Sequence, residues 1–303
     1  MNRLSKILLL LLLIVLIDQA LGAIFSYACN HLKGGEKKWE HYIAYQSKAD
    51  IAIFGSSRAC HHYSTTVLHD SLGGNVINYG KNGMGIIYSY AMMKSLTERC
   101  HPKIIILDVF THFDLYADDN YKFIAPLRYM SDIPSFSEVI CDVAPIESVK
   151  LWCQSYKYNT EWYYLCRDAL KITSFDYKHN GYWPLYEKKK LGTADVYADT
   201  VPIDSVKLRY LKSFIEEASQ KSKLYVFVSP WYRGVSANAY NIVAEICKKE
   251  NVCFNNMFCD SIFTKNYSYW SDGCHLNSYG AEKYTSIVAH MIKNDFSFSN
   301  ERK

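Results

Sequence analysis

Apolar residues come in five short runs, each near a turn former or a change of period. Asp50–Phe54 ends at Gly55, Asn75–Tyr79 stops at Gly80, and Lys103–Val109 holds three consecutive isoleucines. Lys223–Val228 ends at Ser229-Pro230, and Asn251–Phe254 is shorter and weaker. β-Branched side chains crowd a helical turn and suit a pleated one, so these runs predict strands buried on both faces. Between them the period lengthens: Val206, Leu208, Leu211, Phe214, Ile215 and Ala218 make one helical face, and Tyr284, Ile287, Val288 and Met291 another. Strand alternating with helix predicts an α/β fold. The expected architecture is a three-layer α/β/α sandwich around a mostly parallel sheet, with its ligand loops at the carboxyl ends of the strands.

Two stretches stand outside this alternation. From about 114 to 202 the pattern is irregular and aromatic, with Trp152, Tyr156, Tyr158, Trp162, Tyr163, Tyr164, Tyr182, Trp183 and Tyr186. It reads as an insertion in an α/β domain spanning 45–296, packed on the same core because no Gly/Ser linker sets it apart. Core filling is the default use of such rings; a wall on which sugar rings stack is the other. At the N-terminus, Arg3 and Lys6 precede an apolar run from Ile7 to Ile17, then Asp18-Gln19, then a second apolar stretch from Ala20 to Ala28. Ile7–Ala28 is long enough to span a bilayer with Asp18 and Gln19 inside it, and the leading basic residues fit a cytoplasmic start. Residues 1–30 are expected to be an uncleaved signal anchor. Cleavage at Ala20-Leu21-Gly22-Ala23 is the alternative, and would put Asp18 unusually close to the cut. Either way the remainder is exported, with its α/β domain outside the cytoplasm.

Charge narrows the field further. With 34 basic and 30 acidic residues interspersed, no basic tract marks a nucleic-acid groove. The ten cysteines include no CxxC pair, so zinc is not expected and no disulfide pairing is assigned.

Two motifs carry candidate chemistry. Ile53-Phe54-Gly55-Ser56-Ser57-Arg58 puts a serine pair on the turn leaving the first strand, where helix capping is the default use of serine and a nucleophile the other. Far along the chain stands Ser271-Asp272-Gly273-Cys274-His275, directly before the last amphipathic helix. A serine nucleophile needs a base, and a base that becomes cationic needs a carboxylate to fix its tautomer; D-x-x-H supplies both from one loop. Its plain alternative is an aspartate capping its own turn.

Together these blocks resemble the SGNH (GDSL-like) hydrolase superfamily, over roughly residues 48–112 and 222–294. That resemblance implies a flavodoxin-like fold, Ser57 as nucleophile with Asp272 and His275 completing a triad, and an oxyanion hole from the Ser57 and Gly83 N–H groups. The form Gly-Ser-Ser-Arg, with Ser56 where the family has aspartate, resembles a divergent branch of envelope polysaccharide acylation proteins. Where the family carries an asparagine after the third strand, this chain reads Phe110-Thr111-His112-Phe113-Asp114. Losing one oxyanion donor costs on the order of 10²–10³ in rate unless Asn82, Thr111 or His112 fills the gap. Arg58 is expected to hold an anionic substrate group or to pair with Asp108 or Asp114. His61 and His62 read as surface polar residues.

The expected activity is therefore a serine esterase or O-acyltransferase on acyl, above all acetyl, esters of envelope glycans, with no cofactor. A multi-span membrane acyl donor would be its partner if it transfers rather than hydrolyses. An inactive glycan-binding or assembly protein of the same fold is the alternative.

Overall fold

The computed structural model describes residues 2–159, 161–172, 179–186, 201–233 and 238–300, the last five without their side chains. The chain forms two compact units, one of residues 47–119 and 177–303, the other of 1–46 and 120–176.

The first unit is built on a five-stranded, all-parallel sheet: β1 (Ile51–Phe54), β2 (Val76–Asn78), β3 (Ile104–Asp108), β4 (Lys223–Val228) and β5 (Cys253–Asn256). The sheet order is β2-β1-β3-β4-β5, so the chain reverses its direction of winding between β1 and β3. The five apolar runs form these strands, with β5 starting two residues later than the sequence pattern suggests because Asn251 takes a left-handed turn (φ 54°) before it.

Side chains alternate across the sheet. Ile51, Ile53, Ile104, Ile106, Tyr225 and Phe227 share one core with Tyr284, Val288 and Ile292 of the last helix, Ser278–Asn300. On the opposite face, Phe54 meets Phe214 of the helix Ser205–Lys221 edge-on at 5.6 Å. That helix also buries Lys207, whose Nζ donates to the Tyr116 carbonyl (2.6 Å), while Val206 and Leu208 are only half-buried. A long aliphatic stem with a satisfied tip thus displaces part of the apolar face read from the sequence.

In the second unit the helix Arg3–Asn30 runs unbroken through Asp18 and Gln19, and is long and apolar enough to cross a membrane. Asp18, Gly22 and Phe25 face residues 153–158 of the same unit: Asp18 accepts from the N–H groups of Gln154 and Ser155 (both 2.8 Å), a Cβ on Gly22 would strike Gln154, and the rings of Phe25 and Tyr158 lie 5.3 Å apart. A second helix, Gly35–Tyr45, holds Lys37 buried between Glu40 (2.6 Å) and Glu161 (2.7 Å). Residues 120–172 thus gather with the N-terminal helices, whereas 179–186 lie with the sheet. The aromatic segment expected as one insertion is divided between two cores.

Candidate active site

The carboxyl ends of β1, β3 and β4 collect the polar residues of the first unit. After Phe54 the chain must turn sharply, and it does so at Gly55 with φ +143°; a Cβ there would stand 2.7 Å from the Asp108 carbonyl oxygen on β3. Only glycine suits that passage. Ser56 then caps a short helix, Ser57–His62, its hydroxyl accepting from the Arg58 N–H (3.3 Å). On the far side of this helix Gly80 approaches so closely that a Cβ would lie 2.7 Å from the Cys60 nitrogen.

Capping by Ser56 leaves Ser57 free of that duty. Its Oγ lies 2.8 Å from Nε2 of His275. The other ring nitrogen, Nδ1, is 3.0 Å from both carboxylate oxygens of Asp272. A carboxylate only accepts, so Nδ1 carries the proton and Nε2 offers its lone pair to the serine hydroxyl. Asp272 also accepts from the backbone N–H groups of Cys274 (3.0 Å) and His275 (2.8 Å), so the carboxylate both caps its turn and holds the ring. Burial opposes its charge, but these bonds and the His275 ring outweigh it and keep Asp272 well below the usual carboxylate range. The turn itself is closed by an antiparallel bridge between Trp270 and Leu276, with the buried Trp270 indole donating to the Phe263 carbonyl (2.9 Å).

The same turn brings donor atoms of Asp272, Cys274 and His275 within 4.8 Å of one another, a spacing a metal ion would also accept. The three are already bonded among themselves, with Cys274 Sγ 3.2 Å from His275 Nδ1. Burial, then Asp272, pushes that thiol up to about 12, so it stays protonated at neutral pH.

Arg58 points away from Ser57, into the core. Its guanidinium donates to the hydroxyl and carbonyl oxygens of Ser229 and lies 3.7 Å from the Asp108 carboxylate and 5.0 Å above the Phe110 ring. Of the partners expected for it, Asp108 is met; Asp114 instead accepts from the Phe110 N–H (2.6 Å), and burial pushes it up to about 7.

His61 and His62 are buried, contrary to the surface placement read from the sequence. The His61 Nδ1 donates to the Trp183 carbonyl (2.7 Å), and its ring stands 5.1 Å from that of His275. His62 accepts at Nε2 from the backbone N–H of Leu276 (3.0 Å), the residue after His275, and so donates from Nδ1 to Ser229 Oγ (2.9 Å). Burial pushes His61 down to about 4 and His62 well below its usual value, the latter helped by Arg58, so both rings are neutral. The sequence hints at this only in setting the pair between Cys60 and Tyr63.

The remaining candidates sit nearby or apart. Gly83 occupies the tip of an exposed turn with φ +72°, with the exposed Asn82 beside it. His112 is half-buried and lies 5.0 Å from the Phe113 ring and 6.0 Å from that of Phe110.

No family model matches the chain. No curated protein matches it. Among solved structures it is similar to a family two carbohydrate esterase from Clostridium thermocellum in complex with cellohexaose, at 10% identity, covering 83% of this chain and 66% of that one, with a TM-score of 0.42. It is also similar to an acetyl xylan esterase from the rumen bacterium Butyrivibrio proteoclasticus, at 8% identity, covering 84% and 65%, with a TM-score of 0.35. The chain thus spans about two thirds of the length of each. At such values a likeness bears on neither substrate nor mechanism.

Proposed function

We propose that the protein is a serine esterase or O-acyltransferase of the SGNH type, acting on acyl esters of cell-envelope glycans. The observation that carries this reading is the His275 ring held between Asp272 and Ser57, with Nε2 2.8 Å from the Ser57 hydroxyl. Ser57 Oγ attacks the ester carbonyl while its proton passes to His275 Nε2; Asp272 offsets the charge of the imidazolium. The protonated ring then gives its proton to the departing alcohol, leaving an acyl group on Ser57. A water or a sugar hydroxyl, deprotonated in turn by His275, takes the acyl group and restores the serine.

The Ser57 N–H is among the first of its helix and has no intrahelical acceptor, which suits it to the oxyanion. Gly83 and Asn82 are the proposed further donors, Asn82 standing in for the asparagine that 110–114 lacks. His112 is a supporting residue at the rim. Arg58 supports the nucleophile helix from within. The helix Arg3–Asn30 serves as a single-pass anchor with the sheet unit outside the cytoplasm, and a multi-span acyl donor would supply acyl groups if the enzyme transfers them.

Intact-mass analysis of the full chain in detergent, after exposure to a fluorophosphonate, tests this directly. One adduct, absent from Ser57→Ala, is the expected result. No adduct on a folded protein would sink the catalytic reading in favour of a glycan-binding or assembly role, which the missing asparagine favours.

A further inference from the structure

The anchor helix is two-faced beyond its first four turns. From Leu4 to Ile17 every large apolar side chain is exposed, whereas from residue 18 onward one stripe is covered: Asp18, Gly22, Phe25 and Cys29, spaced four, three and four apart. The opposite stripe, Leu21, Ile24 and Tyr27, stays exposed. Arg3 to Ile17 is only about 22 Å long at 1.5 Å per residue, too short for a hydrocarbon core of about 30 Å. Arg3 to Ile24 is about 33 Å and suffices.

Residues 153–158 cover that stripe from Asp18 to Phe25. Asp18 accepts from Gln154 N–H, Ser155 N–H and Ser155 Oγ (2.7 Å), so the first-turn N–H groups of the short helix Gln154–Lys157 are satisfied without water. Just before them, Ile146, Val149 and Trp152 recur every third residue through a helical turn whose inner side buries Glu147. All three are exposed, Trp152 to 82%. An exposed tryptophan and two aliphatic residues, flanked by Lys150 and running directly into the segment that covers the anchor, match the composition of a membrane–water interface.

We infer that residues 146–155 enter the bilayer interface beside the anchor, on the leaflet distal to Arg3, with Ile146, Val149 and Trp152 against lipid and Asp18 neutralising the backbone polarity this brings in. The occupant of the patch is lipid. This rests on reading Arg3–Asn30 as an anchor, and it makes residues 18–30 part of the folded unit.

The full chain, reconstituted in phosphatidylcholine vesicles with acyl chains brominated near the headgroup, tests the inference through tryptophan fluorescence. Bromine quenches at contact. Most of the quenching should disappear in Trp152→Phe and persist in Trp162→Phe, whose neighbour Glu161 is tied to Lys37 beyond the end of the anchor. Trp152 is too exposed for its replacement to threaten folding. Vesicle-bound protein quenched equally in wild type and Trp152→Phe would overturn this inference alone. Failure of the full chain to float with vesicles would overturn the anchor as well.

Discussion

Replacing His62 by phenylalanine should loosen the loop that carries His275. The ring is buried and neutral, and its Nε2 accepts from the Leu276 N–H at 3.0 Å. Phenylalanine fills the same space, so the cost is not a cavity but an orphaned donor: about 1–3 kcal/mol for a buried N–H left unpaired. Ser229 loses less, because Arg58 and Asp108 still reach its hydroxyl at 2.9 and 3.2 Å. For a domain of this size the loss corresponds to a fall in Tm of about 3–10 °C. Catalysis should suffer beyond stability. Leu276 follows His275 directly, and displacing a reacting group by about 1 Å costs on the order of 10²-fold. The assay is the rate constant for fluorophosphonate labelling of Ser57, read well below the melting temperature. His62→Gln places an amide oxygen near the position of Nε2 and should recover most of both losses. Labelling by His62→Phe at the wild-type rate, or a glutamine variant no better than phenylalanine, would refute the view that this contact positions the base.

Asp272→Asn keeps the size of the side chain but removes the charge and the tautomer preference, so labelling should slow by about 10⁴-fold, read well below the melting temperature of the variant. His61 adds a pH term. Its folded value, pushed by burial down to about 4, lies below the unfolded value of about 6.5, so its contribution is intact above the unfolded value and is lost as pH falls towards the folded one. Between pH 7 and 5 the wild type should lose about 2 kcal/mol more than His61→Gln in urea unfolding; equal losses would count against a buried neutral ring. Arg58→Ala strands the Asp108 carboxylate in the core and should cost about 3–5 kcal/mol, seen as a lower urea midpoint, whereas a near-neutral result would mean water reaches the pair.

Much of the scaffold was legible because its signals are local. Three successive isoleucines at 104–106 admit a central strand and little else, and Gly55-Ser56-Ser57 announces a turn whatever surrounds it. The pairing of Ser57 with Asp272 and His275 was legible from motif order. What escaped is what depends on distant chain. His61 and His62 look polar in sequence, yet Trp183, Ser229 and Leu276 supply their partners from three separate segments. The aromatic stretch has one composition throughout, and composition does not say that Tyr158 would pack on Phe25 while Tyr182 joins the sheet's core. Lys207 was similarly hidden, since a carbonyl that satisfies its tip belongs to residue 116.

The helix Ser57–His62 presents four of its six residues to different clients: Ser57 to His275, Arg58 to Ser229, His61 to Trp183 and His62 to Leu276. Rotating it by a fraction of a turn to please one disturbs the rest, so substitutions along it will combine non-additively. Such a segment evolves as a block. Pairs of changes tolerated together but not singly are the signature to seek there, and a library that varies these six positions jointly will reach active sequences that single-site scanning misses.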